Sequence, residues 1–351
     1  MMTFRRGQMT KLIRPWRALT CMFIMFSMMN MQVSAQSIES AQNDLNATAE
    51  WIQEAQPVIQ GIYGLMTTVD EAVQVMNRFN QGKLDQDQAL GMIAQIEIDI
   101  NTRSQSLRVD IMDLPPVPVV TTINYQSSLS AETLQEIIDQ LETVLLSSLT
   151  MVGDAVRGDI DSFEAGFLAS YEQTRVLVDL SNRVVDADLV AIPDPTHPQV
   201  MVLKCLMNSN NLTLAVLEFQ AAFYELETEW TELDVLKKME AIRRENRGYI
   251  DTGRQRTIEI VEGLRAARNH ASFSDRAFLS RVIPAMETYS EHWRQEESLL
   301  ASLDLLLETA STLEAPDFEI EIQLENTLNK IIEVEALRTA LIQRRIMMMQ
   351  Q

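Results

Sequence analysis

The feature that most constrains this chain is a row of apolar side chains whose spacing alternates between three and four residues. The row covers residues 38–76, which is more than five heptads. This spacing places the side chains on one face of an α-helix, and such a face must be buried against another helix. Its members are Ile38, Ala41, Leu45, Thr48, Ile52, Ala55, Ile59, Ile62, Met66, Val69, Val73 and Met76.

Pro57 lies inside this apolar row, and Gly61 and Gly64 follow it closely. A proline inside a helix removes one backbone hydrogen bond and usually kinks the helix. We therefore expect a bend or a break near residues 56–57.

The next part of the chain has the pattern of two helical hairpins. Residues 82–85 predict a turn with Asp85 as the N-cap of a helix that ends before Pro115. A third helix is expected over 130–157, and a fourth is expected to end near Asp186. The matched residues Gly82, Asp85, Ala89 and Gly158, Asp161, Ala165 leave two alternatives open, an internal duplication or coincident turn chemistry.

The C-terminal part has three more features. The apolar row from Leu212 to Leu233 predicts one long helix, and Gly248 and Gly253 are expected to bracket a break. Further helices are expected over 254–269, from Ser274 onward, and over about 320–347.

These patterns predict an all-α fold of consecutive helical hairpins, or an elongated helical bundle, with heptad-like rows. Only 11 of the 351 residues are glycine, well below the usual share of roughly 7%, and this suits long helices. The expected organisation is 1–35 signal peptide, 36–112 first hairpin, 113–129 proline-rich linker, 130–190 second hairpin, 191–198 proline-rich linker and 199–351 C-terminal helical region.

The N-terminal segment has the pattern of a secretory signal peptide. Residues 1–17 contain five basic and no acidic side chains, and a short apolar stretch follows that ends in Val33-Ser34-Ala35. We expect cleavage after Ala35 and a periplasmic or secreted mature protein; the alternative is a retained anchor. Only Cys205 would remain, so a disulfide within the mature chain is excluded.

Charge is unevenly distributed along the chain. Residues 36–236 contain 31 acidic and 8 basic side chains, whereas residues 237–268 contain 9 basic and 5 acidic ones. The basic region is a candidate anion- or partner-binding patch. The alternative is a solvated helix with internal pairs such as Glu240–Arg244. The candidate residues are Lys237, Lys238, Arg243, Arg244, Arg247, Arg254 and Arg256.

The sequence has little that indicates catalysis, a metal site or a cofactor. None of the common nucleophile, zinc, phosphate-loop or dinucleotide motifs is present. His292 and Glu296 are one helical turn apart, and a structural polar layer in an apolar row is a better interpretation than acid–base catalysis. Asp194 and His197 make only a weak candidate for a metal pair. We therefore predict a protein that is not an enzyme.

Two functions are consistent with these patterns. The first is a structural or protein–protein interaction component of the bacterial cell envelope, which self-associates or binds a protein partner through its apolar rows. The basic patch would also suit peripheral contact with a membrane, whereas the strongly negative chain argues against nucleic acid. The alternative is a periplasmic helical-bundle binding module for a small or lipidic ligand. The absence of disulfides favours a bacterial host.

Overall fold

The structure is a computed structural model that describes residues 38–121, 124–223, 225–312 and 317–350. The predicted signal peptide and its cleavage after Ala35 lie outside the described residues. The described helices are α1 Ile38–Glu54, α2 Gln56–Asn80, α3 Gln86–Met112, α4 Ala131–Arg157, α5 Ile160–Ala191, α6 Pro198–Phe223, α7 Glu232–His270, α8 Phe273–Ala310 and α9 Asp317–Gln350.

The all-α fold class is confirmed for the described residues. From α2 onward, each helix packs mainly against its neighbours along the chain, and α2 also contacts α4. The last helix, α9, contacts both α8 and α1. Within the part of the chain that the structure describes, the only strand-like pairing is an isolated antiparallel bridge between Val120 and Tyr125.

The expected break near residues 56–57 is confirmed. Helix α1 ends at Glu54 and α2 begins at Gln56, so Pro57 lies in the first turn of α2. A proline in that turn costs little, because the first backbone N–H groups of a helix have no partner inside it. Beyond the break, the apolar row buries Ile62, Met66 and Val69 in the core, as its spacing predicts.

The turn residues act through capping. The Asp85 side chain accepts a hydrogen bond from the Gln88 N–H, and the Gln88 side chain accepts one from the Asp85 N–H, which forms a capping box. The second turn uses Asp159 as the N-cap, so Asp161 is not equivalent to Asp85. Gly158 ends α4 with a φ of +74°, a conformation that glycine adopts without strain. The difference in capping favours coincident turn chemistry over duplication.

The described residues between α3 and α4 are not helical, and side chains from the flanking hairpins hold them in place. The Trp51 indole donates a 2.8 Å hydrogen bond to the Pro115 carbonyl. The Asp44 carboxylate accepts from the N–H and the hydroxyl of Thr121. Asp188 accepts from the Ser127 hydroxyl and the Ser128 N–H. The segment is thereby fixed against α1 and α5.

Two predictions for the C-terminal part are wrong. The helix expected to continue to Leu233 ends at Phe223, and a non-helical connection precedes α7 at Glu232. The break expected between Gly248 and Gly253 is absent, because α7 is continuous over Glu232–His270. Gly253 is instead the place where α7 approaches the buried ring of Trp293 on α8. Glycine there permits a close approach between two helices.

The described residues form an apolar core with three parts. The largest joins α1 to α6 and includes Ile250 of α7 and Tyr289, Trp293 and Leu300 of α8. The second is formed by α6, α7, α8 and α9. Helix α6 contributes to both, so it is buried around most of its circumference. The third part lies at one end of the α7–α8 hairpin.

Candidate functional site

The predicted basic patch on α7 is largely paired with acidic groups. Lys238 lies 2.8 Å from a Glu218 carboxylate oxygen on α6, and Arg243 and Arg254 pair with acidic residues on α8. The partners are Glu218 for Lys238, Asp304 for Arg243, Glu240 for Arg244, Glu297 for Arg254 and Glu259 for Arg256. Lys237 is 4.0 Å from Asp234, and Arg247 is exposed.

Basic side chains of α7 pair with residues on two different neighbouring helices. Lys238 points towards α6, whereas Arg243 and Arg254 point towards α8. The predicted Glu240–Arg244 pair is present, with a distance of 3.2 Å. The geometry favours the paired, solvated alternative, and anion binding at these residues stays a prediction.

A buried ion pair joins α8 to α9. The Arg338 guanidinium donates from Nη2 to Glu296 Oε1 and from Nη1 to the Ser209 hydroxyl at 3.1 Å. The side chains of Arg338 and Glu296 are 0% and 1% exposed, respectively, and His292 Nε2 lies 3.4 Å from Glu296 Oε1. Glu296 thus belongs to a polar layer that links three helices.

Sequence reasoning found Glu296 and missed Arg338. A signal for Arg338 exists, because it continues the apolar row Ile331, Val334, Leu341 at spacings of three and four. A charged residue in a buried row needs an opposite charge or several hydrogen bonds. Glu296 and Arg338 each interrupt an apolar row, so an ion pair between them could have been predicted on that ground.

Helix α6 carries further buried polar groups. The Asn208 amide donates to Asn246 at 2.9 Å, and the Asn210 amide donates to Asn182 at 2.9 Å. Glu218 accepts from the Tyr171 hydroxyl at 2.9 Å. Burial, and then the nearby Glu218 charge, raise the pKa of Tyr171 above its usual value. These bonds fix the positions of α5, α6 and α7 relative to one another.

Helix α6 also has the length and composition of a membrane span, although 83% of its most apolar stretch is buried. A buried core helix of a soluble protein has the same properties, and so this is weak evidence for a membrane span. The buried amides on α6 give it polar partners among neighbouring helices.

Two further candidates are the Cys205 thiol, as a nucleophile, and groups of side chains that could bind a metal ion. Cys205 is buried, and burial raises the pKa of its thiol well above the usual value, with a further contribution from the Glu296 charge. A thiol in that state is a poor nucleophile. Among the described residues, no group of three or more His, Cys, Asp or Glu side chains could hold a metal ion.

The Asp194–His197 pair is part of a structured loop before α6. Asp194 accepts from the N–H and the hydroxyl of Thr196, and His197 Nδ1 accepts from the Gln199 N–H at 3.2 Å. The guanidinium of Arg256 donates to the Thr196 hydroxyl, which fixes the loop on α7. His197 is 2% exposed, and burial lowers the pKa of its imidazole to about 4.

The low pKa of His197 predicts that the protein loses stability in weak acid. The unfolded chain protonates this imidazole near its usual pKa of ~6.5, so it binds more protons than the folded chain between that value and about 4. We expect the free energy of unfolding to fall by ~2 kcal/mol between pH 7.5 and pH 5 from this group alone.

Urea denaturation of the unmodified protein and of His197→Gln at both pH values measures this contribution. Gln does not titrate, so the difference between the two proteins isolates His197 from the carboxylates. An equal pH dependence in the two proteins would contradict the buried neutral imidazole.

A cavity that the sequence did not indicate lies beside the segment that joins α3 and α4. Its volume is about 320 Å³. Its wall combines one indole ring with proline, leucine and serine side chains and with backbone. The lining residues include Trp51, Leu114, Pro115, Val117, Ser127 and Leu134.

Comparison with protein-family models, with curated proteins and with solved structures finds no match.

Proposed function

We propose that this protein is a non-enzymatic structural or protein–protein interaction component of the bacterial cell envelope. The observation that carries the proposal is a second, uncharged row on α3 with three exposed apolar side chains, on the face opposite its buried row. The export pattern of residues 1–35 supports a place in the envelope. Glu296 and Arg338, and the amides of α6, are buried and bonded to groups on neighbouring helices. This supports a structural role for these polar side chains.

Helix α3 has two rows with heptad spacing. The inner row, which includes Ile93, Ile96, Ile100 and Leu107, is buried in the core. The outer row comprises Ile98, Thr102, Gln105, Val109 and Met112, separated by four, three, four and three residues. Ile98, Val109 and Met112 are 57%, 54% and 65% exposed.

This outer row carries no charged side chain, although the chain as a whole is strongly acidic. Apolar positions at this spacing on an exposed helix face suit the burial of a second helix. We infer that the outer row of α3 binds a helix of another protein molecule. The partner that we propose is a second copy of this chain.

Sedimentation velocity over the micromolar range tests this inference. We expect concentration-dependent association of the full chain, weakened by about 1,000-fold or more in the triple variant Ile98→Gln, Val109→Gln, Met112→Gln, because each buried side chain contributes about 1.5–3 kcal/mol. The control is Val176→Gln, Val190→Gln, Leu233→Gln, which removes three exposed apolar side chains elsewhere. Equal association of both variants would contradict a contact at α3.

The cavity beside Trp51 favours a second candidate function, a binding module for a small or lipidic ligand. Its volume of about 320 Å³ is within the range of small-molecule sites, ~300–1,000 Å³. The wall is mainly apolar, with serine hydroxyls and backbone groups that can orient a ligand.

Native mass spectrometry of the protein purified from its host tests this candidate. A ligand in the cavity gives an additional mass that is reduced in Leu134→Trp, which fills the cavity from its wall. Leu146→Trp, at a half-buried position elsewhere on α4, is the control. An adduct that both variants retain, or no adduct at all, argues against the cavity as a binding site.

A further inference from the structure

The end of the α7–α8 hairpin extends beyond the helices before it. The contact between Arg256 and Thr196 places the start of α6 beside the middle of α7. Helix α7 continues to His270, a further ~20 Å at 1.5 Å per residue. The apolar cluster at this end comprises α7 and α8 residues among those described: Val261, Leu264, Phe278, Leu279, Val282, Ile283 and Met286.

We call residues 265–281 the hairpin tip. Ala271 and Ser272 connect the two helices there, and Phe273, the next residue, is 91% exposed. A phenylalanine is seldom so exposed without a partner, because its ring is apolar over its whole surface. The tip thus presents one exposed aromatic ring at the turn of the α7–α8 hairpin.

Four arginines flank Phe273 in the sequence, and all four are exposed: Arg265, Arg268, Arg276 and Arg281. Asp275 is the one acidic residue among positions 265–281, so the tip has a formal charge of +3. The rest of the chain from residue 36 onward is strongly acidic. The tip is therefore a local positive surface on a negative protein.

The arginines of the tip differ from those in the middle of α7 in their pairing. Arg265 pairs with Glu287 at 2.6 Å, and Arg276 donates to the Ala271 carbonyl. Among the described residues, Arg268 and Arg281 form no ion pair. Their charges are available to an external anion, whereas most of the predicted patch around residues 237–256 is already neutralised.

We propose that the hairpin tip binds the surface of an anionic lipid membrane, with Phe273 in the interface and the arginines on the lipid phosphates. A lipid surface deforms around an inserted ring, and its phosphates match the positive charge that flanks Phe273. Exposed aromatic rings flanked by basic side chains are the side-chain types that favour this interface.

Tryptophan substitution measures insertion at the tip itself. The full chain carrying Phe273→Trp is mixed with vesicles of phosphatidylcholine containing about 30 mol % phosphatidylglycerol, with bromine on the acyl chains as quencher. We expect the added emission to be blue-shifted and quenched. Leu233→Trp is the control, because Leu233 is also exposed and lies at the other end of α7. Equal quenching at both positions, or none at 273, would overturn the proposal.

Charge removal tests the role of the arginines. The triple variant Arg268→Gln, Arg276→Gln, Arg281→Gln should weaken binding to the anionic vesicles on the order of 100-fold, because each basic residue near such a surface contributes ~1 kcal/mol. The matched control, Lys237→Gln, Arg244→Gln, Arg247→Gln, removes the same charge from exposed positions in the middle of α7. Binding that depends on the control set, binding equal on pure phosphatidylcholine, or arginine-dependent self-association without vesicle binding would each overturn the proposal.

Discussion

Replacing Gly253 with alanine is expected to lower the free energy of unfolding by ~3 kcal/mol, the upper part of the usual range for overpacking. A Cβ atom at this position would overlap the Trp293 ring atoms Cη2, Cζ2 and Cζ3. Trp293 is fully buried, and its indole N–H donates to the Thr257 hydroxyl at 3.0 Å. Moving the ring away would disturb its buried packing and break this hydrogen bond.

Two other glycines of the same helix provide the control. Nothing lies within 4 Å of a Cβ added at Gly248 or Gly263. Alanine at those positions should stabilise the protein by ~0.5–1 kcal/mol, the usual advantage of alanine over glycine inside a helix. Urea denaturation of the three variants measures the contrast. If Gly253→Ala stabilised the protein as the controls do, α7 and α8 would not approach as closely as described.

Breaking the buried ion pair is expected to have the largest effect. Arg338→Met leaves the Glu296 carboxylate buried without its main cation, and such a change costs about 3–5 kcal/mol. Glu296→Leu leaves the Arg338 guanidinium buried and should cost a similar amount. Because α9 docks on the bundle through Arg338, Arg338→Met should also make α9 sensitive to limited proteolysis.

The double variant Glu296→Leu, Arg338→Met separates the charge effect from general damage to the core. An apolar pair of similar volume needs no compensation for desolvated charge, so the double variant should regain most of the lost stability. Thermal or urea unfolding of the four proteins gives the coupling between the two positions. Losses that simply add would show that the two charges do not stabilise each other.

The local pattern of the sequence was sufficient to predict much of this fold. The row of apolar residues from position 38 onward, the proline at position 57 and the N-cap Asp85 are features whose physical effect acts within a few residues. Their predicted consequences are present in α1, α2 and α3. Ser130, which caps α4, acts over an equally short distance, although its capping role was not predicted.

The incorrect predictions concern contacts between residues that are far apart in the sequence. Gly253 was interpreted as a helix breaker because its partner, Trp293, is 40 positions away and on another helix. Half of the paired basic residues at 237–256 have partners within α7. The other three, Lys238, Arg243 and Arg254, pair with acidic residues on α6 and α8, and no local pattern indicates those contacts. Arg338 and Ser209 are 129 positions apart, and no local pattern relates them.

Exposure was equally hard to predict at the two proposed interaction surfaces. The outer row of α3 and Phe273 are apolar, and an apolar residue on a helix is normally assigned to the core. The face with Ile93, Ile96 and Ile100 is regular enough to be assigned to the core from the sequence, and the structure confirms its burial. The exposure of Ile98, Val109 and Met112 on the other face is visible only in the packed structure. The structure also shows that the α7–α8 hairpin extends past the start of α6 and leaves Phe273 at its end.

The proposed contact through α3 is tested most directly by site-specific photo-cross-linking in cells that produce the full chain. A photoreactive amino acid at position 109, in the outer row of α3, should give one defined protein adduct in the envelope fraction. The same amino acid at position 176, where Val176 is exposed on α5, should give none. The mass of the adduct distinguishes a second copy from another protein. Absence of an adduct at position 109, or equal adducts at both positions, would contradict the interaction role proposed here.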